Sequence, residues 1–178
     1  WLLRKLTPKG TRLLALVFTS AAFLLSLYLF LIFDRSVSGE FQFREMVPWI
    51  PDIGSSYNLG VDGLSMPLVL LTTFLGFVSV FVSWKIALRV REYFIWLLLL
   101  EAGILGVFMS LDLILFFLFW EVELMPMYML ISIWGSGRKE YSATKFVIYT
   151  LAGSAFMLAG FLLLYFKAQP LMAPGQSA

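Results

Sequence analysis

The chain has 178 residues, 61% of them hydrophobic and 13% charged, a formal net charge of +2, and neither cysteine nor histidine. A charged fraction about half that of an average soluble domain, with apolar runs recurring along the whole length, marks an integral membrane protein; a secretory signal would place one short run at the N-terminus. Without thiolate or imidazole, the chain offers no ligand set for zinc, haem or an iron–sulfur cluster, and no Ser/His or Cys/His nucleophilic pair.

The N-terminal residues carry Arg4, Lys5 and Lys9, with Arg12 just inside the first apolar run, 11–33. At 1.5 Å per residue that run is about 34 Å long, enough to cross a bilayer. The basic cluster reads as a topogenic anchor. Residues 34–63 form the longest hydrophilic connection, with Pro48, Pro51, Gly54 and Gly60 among the aromatics Phe41, Phe43, Trp49 and Tyr57. The alternation Phe41-Gln42-Phe43-Arg44 hints at a short strand or an interfacial segment. The second run, 64–84, carries Pro67 in its first turn, where a missing N–H is tolerated, and Asp62 or Ser65 is placed to cap it.

Lys85, Arg89, Arg91 and Glu92 lead into a third run, 93–110, interrupted only by Glu101. Leu111-Asp112 then turns the chain sharply into the fourth run, 113–134, with Glu121 and Glu123 near its middle and Pro126 just beyond. The loop GSGRKEY precedes the fifth run, 142–166, which contains Lys145, Gly153, Ser154 and Gly160. The expected fold class is all-α: a polytopic transmembrane helix bundle of about five spans over 1–166, followed by a polar tail, 167–178.

The connections alternate between Lys/Arg-rich and Lys/Arg-poor, as five spans require. Putting the N-terminus inside assigns Arg4, Lys5, Lys9, Arg12, Lys85, Arg89, Arg91, Arg138 and Lys139 to the cytoplasmic side and loop 34–63 to the outside. Glycines occur singly or as GSG, so no phosphate-cradling loop is present, and no basic aqueous face exists for nucleic acid. Trp1 in place of Met, and the polar ending AQPLMAPGQSA, point to a piece of a longer protein.

Four ionisable residues lie within the spans: Glu101, Glu121, Glu123 and Lys145. A charge at mid-bilayer costs about 2.5 to 3.5 kcal/mol on insertion scales, and such groups face a bundle interior or a water-filled path. Counted from the cytoplasmic end, Lys145 lies about 5 Å deep, Glu101 about 12 Å, and Glu123 and Glu121 about 17 and 20 Å. That order reads as a staircase of titratable groups. A depth difference of about 15 Å argues against a direct Glu121–Lys145 ion pair, and Glu121 and Glu123 point about 200° apart, so one narrow path cannot hold both. A buried Glu with a switchable cationic partner can take up and release protons near neutral pH, which is the chemistry of a pump.

Blander readings stand beside each of these. Lys145 can snorkel to the near interface, and Glu101 can serve as interhelical glue. Pro126 removes the donor to the Val122 carbonyl and so loosens or kinks the helix beside the carboxylates. Met125, Met127 and Met129 read as adaptable packing, and the small residues Gly153, Ser154 and Gly160 as sites of close helix approach.

Three stretches carry a family resemblance: YNLGVDGLSMPLVLLTTFL (Tyr57 to Leu75), REYFIWLLLLEAGILGVFMSLDLILFFLFWEVELMPMYMLISIWG (Arg91 to Gly135) and SATKFVIYTLAGS (Ser142 to Ser154). The chain resembles the proton-translocating, antiporter-like M-type (chain 4) subunit of NADH:quinone oxidoreductase, respiratory complex I. The resemblance implies that Glu121, in FWE, is the proton-channel glutamate. It also makes Glu101, in LLLEAG, a secondary acidic site and Lys145, in ATKF, a member of the relay; no role is carried onto Glu123. It implies a hetero-oligomeric assembly with other membrane subunits in a bacterial inner membrane or an equivalent energy-transducing membrane. NADH, FMN, iron–sulfur clusters and quinone would then be held by partner subunits, with no cofactor on this chain. The family has about fourteen spans, and the glutamate's usual lysine partner lies on a later, broken helix. The rival within the same pattern is a subunit of a multisubunit cation/proton antiporter.

Overall fold

The computed structural model describes residues 7–34, 40–50 and 54–168. Arg4, Lys5, Arg35, Pro51, Asp52 and the tail from 169 onward lie outside the described residues. Among the described residues, five helices are long and apolar enough to cross a membrane. They are α1 (Pro8–Ile32), α2 (Ser65–Val82, continued by a 3-10 turn, Ser83–Lys85), α3 (Val90–Met109), α4 (Leu113–Trp134) and α5 (Lys139–Ala168). Helices α1, α2 and α3 pack three-way; α4 lies against α3, and α5 lies outermost against α4.

Helix starts are set by local chemistry. Thr7 caps α1 by accepting from the Gly10 N–H at 3.2 Å, and Pro8 follows where its absent N–H costs nothing. At the entry to α2 the Asp62 carboxylate accepts from the N–H groups of Leu64 and Ser65, while Ser65 Oγ accepts from the Asp62 N–H. Both residues expected as caps therefore act together, as a reciprocal box. Those bonds, led by the Ser65 N–H, hold the Asp62 carboxyl below the usual carboxylate range.

In a bilayer the helices must bury polar groups rather than apolar ones, and they do so between α1 and α2. Ser26 and Thr73 share a buried hydroxyl hydrogen bond at 2.6 Å; with one proton on each, one hydroxyl donates to the other, which in turn donates back to a carbonyl of its own helix. Two apolar clusters flank this pair. Ala15, Val80, Val90 and Phe94 fill the end of the bundle near the α2–α3 turn, and Val61, Met66 and Val69 fill the opposite end. The large exposed apolar residues of α1 and α5, among them Phe18, Leu31, Phe156 and Leu163, suit a lipid or helix environment.

The connection before α2 holds more order than its sequence announces. β1 (Gln42–Ile50) pairs antiparallel with β2 (Ser55–Val61) in a two-stranded hairpin, with Glu45 opposite Leu59 and Val47 opposite Tyr57. Pro48 falls on the exposed outer strand, where a missing donor is tolerated. Phe43, with φ of 51°, marks the bulge between Gln42 and Glu45. β2 is buried nearly throughout because it lies between β1 and the α3–α4 turn. Its polar sequence, SSYNLGV, therefore lacks the alternation that reveals a half-exposed strand.

The two ends of the bundle differ in charge. Lys9, Arg12, Lys85, Arg89, Arg138 and Lys139 cluster at the end formed by the α1 start, the α2–α3 turn and the α4–α5 turn. Arg12 Nη2 donates to the Ile86 carbonyl, Trp134 Nε1 to that of Leu88 and Lys139 Nζ to that of Ile133, closing this end with side chain to backbone bonds. The hairpin end carries Asp34, Glu40, Glu45, Asp62 and Asp112.

Candidate functional site

Helix α4 is positioned at its start by Asp112. One carboxylate oxygen accepts from the N–H groups of Ile114 and Leu115 at 2.9 and 3.0 Å and from Ser55 Oγ at 3.1 Å. The other accepts from the Ser56 N–H at 3.0 Å, and the Leu111 N–H donates to the Asn58 carbonyl at 2.9 Å. Asp112 therefore caps the carboxylate-bearing helix and ties it to the hairpin with the same side chain. From the sequence Leu111-Asp112 reads only as a turn; a polar cap residue ahead of a long apolar run is the signal that marks the capping role. At the other end, Gly135 closes α4, its N–H bonding the Ile131 carbonyl at 3.0 Å, and a side chain there would collide with that carbonyl.

Glu121 lies about 12 Å from the start of α4 and about 20 Å from its end. It is half-buried, and its Oε1 is buried with no hydrogen-bond partner among the described residues. Glu123 points to a different side. Its Cα and Cβ pack over Gly103 of α3, where an added Cβ would stand 3.2 Å from that of Glu123. One turn away, a Cβ on Gly106 would strike the Phe119 ring. The two glycines let α3 and α4 approach closely, in the manner of small-residue contacts between membrane helices. Pro126 stays inside a continuous helix and is among the most deeply buried side chains, and the Val122 carbonyl lacks its usual i+4 donor.

Glu101 sits on α3 and is only 8% exposed, with Oε1 lacking a partner among the described residues. Its head group faces Gly76 of α2 and borders a groove of about 330 Å³ lined also by Thr72 and Ser79. Lys145 is exposed on α5, with its ammonium 5.7 Å from the centre of the Tyr149 ring. No hydrogen bond or ion pair joins any two of Glu101, Glu121 and Lys145; the groups are distributed over α3, α4 and α5 rather than gathered at one point. Gly153 and Gly160 meet nothing within 4 Å of an added Cβ, so the close approaches expected there are not made among the described residues, whereas Ser154 beside them is buried. Among the described residues, no group of three or more acidic side chains is arranged to hold a metal ion.

The family described as the transmembrane region of NADH:quinone oxidoreductase and Mrp antiporters matches residues 110–171, the segment that contains α4 and α5. A chain 4 subunit of NAD(P)H-quinone oxidoreductase from Thermosynechococcus vestitus is 44% identical over 150 residues, covering 84% of this chain and 28% of that protein. This chain thus spans under a third of the length of the curated relatives it matches. Respiratory complex I from Thermus thermophilus with bound NADH contains a chain that superposes with a TM-score of 0.74 at 31% identity, over 85% of this chain and 31% of that one. The archaeal membrane-bound sulfane sulfur reductase shares the fold, with a TM-score of 0.75 at 20% identity over 93% of this chain and 25% of that one. Five apolar helices and these relatives make the protein an integral component of an energy-transducing membrane. The chain belongs to the antiporter-like membrane-subunit family of NADH:quinone oxidoreductase, on the branch of the chain 4 subunits.

Proposed function

We propose that this chain forms part of a membrane-arm subunit that moves protons in step with quinone reduction, and that Glu121 is the group that carries the proton. The observation that supports this reading most is a half-buried carboxyl near the middle of α4 with an oxygen that no donor among the described residues satisfies, within the segment matched by the family. A carboxyl so placed gains or loses a charge with each proton, and the energy of that charge at mid-bilayer, about 2.5 to 3.5 kcal/mol on insertion scales, is what neighbouring groups and water can modulate.

In this reading the basic end of the bundle faces the cytoplasm and the hairpin faces outward, in keeping with the positive-inside rule. Lys145 receives protons near the basic end, Glu101 lies deeper and Glu121 near the midplane. The helical rise leaves gaps of many ångströms between them, so water or side chains of other helices complete the relay. NADH oxidation and quinone reduction, with their flavin and iron–sulfur groups, belong to partner subunits.

Replacing Glu121 by Gln in the intact complex, with proton translocation measured per assembled complex, tests the reading. It predicts a collapse of translocation; wild-type translocation at lowered assembly would assign Glu121 to the scaffold instead. The family description also covers Mrp antiporters, which supports a second reading as a subunit of a cation/proton antiporter. Flavin and iron–sulfur subunits co-purifying with the protein distinguish the first from the second.

A further inference from the structure

We propose that Gly76 is a positioning residue for Glu101: its missing side chain forms the notch on α2 that seats the Glu101 carboxyl and aims it into the groove between α2 and α3. This rests on the reading of Glu101 as a member of the proton pathway. An added Cβ at Gly76 would lie 2.5 Å from Cδ and Oε2 of Glu101 and 2.6 Å from Oε1. The three nearest atoms are thus all carboxyl atoms, so the head group itself, and not the aliphatic stem, occupies the notch. Carbon atoms in ordinary contact stand about 3.5 to 4.0 Å apart, so any side chain at this position drives the carboxyl back by about 1 Å.

The surroundings make that position consequential. Thr72, Gly76 and Ser79 recur along one face of α2, and all three line the groove together with Glu101. Thr72 Oγ1 donates to the Leu68 carbonyl at 2.8 Å and Ser79 Oγ to the Leu75 carbonyl at 2.7 Å. With their protons committed to the backbone, both hydroxyls face the groove as acceptors. The groove, about 330 Å³, is otherwise lined by apolar side chains such as Leu71, Leu97 and Ile104, so the Glu101 carboxyl and these two hydroxyls supply its polar side-chain atoms. A carboxyl seated at Gly76 is placed to exchange a proton with a donor or water held at those hydroxyls. The same carboxyl pushed off the notch is not.

The test uses Gly76→Ala in membranes carrying the intact complex, alone and combined with Glu101→Asp or Glu101→Ala. Three quantities are measured: proton translocation against pH, the amount of assembled complex, and the rate at which dicyclohexylcarbodiimide labels Glu101. A misplacement of about 1 Å can cost a reaction about 100-fold, so Gly76→Ala is expected to lower translocation about tenfold or more. Its pH profile and its labelling rate should both shift. Glu101→Asp, one methylene shorter, should recover most of the translocation in the Gly76→Ala background. If Gly76→Ala does not assemble, Glu101→Ala should restore assembly by emptying the notch. A pH profile and labelling rate equal to wild type, or the absence of recovery and restoration by the second substitutions, overturns the proposal. If Glu101→Gln translocates like wild type, the pathway reading of Glu101 fails, while a labelling change in Gly76→Ala still tests the notch separately.

Discussion

Asp112 is the residue whose loss should do most to detach the carboxylate-bearing helix from its support. Its carboxylate accepts four hydrogen bonds, from the N–H groups of Ile114, Leu115 and Ser56 and from Ser55 Oγ. Losing a helix cap costs about 1 kcal/mol, and each part-buried N–H left without an acceptor adds about 1 to 3 kcal/mol. Because these bonds share one side chain their costs do not add fully, and Asp112→Ala is expected to destabilise the protein by about 3 to 5 kcal/mol. Asp112→Asn separates the two roles. Its carbonyl oxygen can still cap α4, but its amide group then meets the Ser56 N–H, donor against donor. Hydrogen exchange read by mass spectrometry checks both variants. Asp112→Ala should lose protection at the α4 start and in β2, and Asp112→Asn mainly in β2. Wild-type protection at both places in Asp112→Ala would refute the reasoning that this side chain joins them.

Asp62→Ala, which opens the box at the start of α2, should cost about 1 kcal/mol in detergent denaturation. Because folding holds the Asp62 carboxyl below its ordinary range, its contribution is fully present above the unfolded value, about pH 4, and is lost as pH falls through the lower folded value. Wild type and Asp62→Ala should therefore converge in stability at strongly acid pH, and a gap that widens there would contradict the sign. Thr73→Val removes the buried bond to Ser26 and should cost about 0.6 to 1.7 kcal/mol. A double-mutant cycle with Ser26→Ala should show coupling of that order, whereas strict additivity would mean the hydroxyls do not interact.

The helices were legible in the sequence because apolar runs of bilayer length have few other uses, and the polar residues between them are too few to form soluble units. Their ends were less so. α5 begins at Lys139, ahead of the apolar run that starts at Ser142, because hydropathy reports the membrane and not the last capped turn. The alternation at Phe41–Arg44 does fall at the start of β1, but β2 was hidden for a different reason: Ser55, Ser56 and Asn58 are buried by contacts with β1, Asp112 and Leu111 that are distant in sequence. For the site, residue type and depth picked out Glu101, Glu121, Glu123 and Lys145, and the family resemblance gave an expected role to each of them except Glu123. Which neighbour each one meets depends on helix packing, and no one-dimensional pattern could have set Gly76 against Glu101 or Gly103 against Glu123.

Proton carriage by Glu121 requires its carboxyl to gain and lose a proton as the complex turns over. Infrared difference spectroscopy of the working complex, wild type against Glu121→Gln, reads this at the carboxyl C=O stretch. A protonated-carboxyl band should appear and disappear with turnover in the wild type and be missing in the variant. The same difference band in both proteins would contradict it.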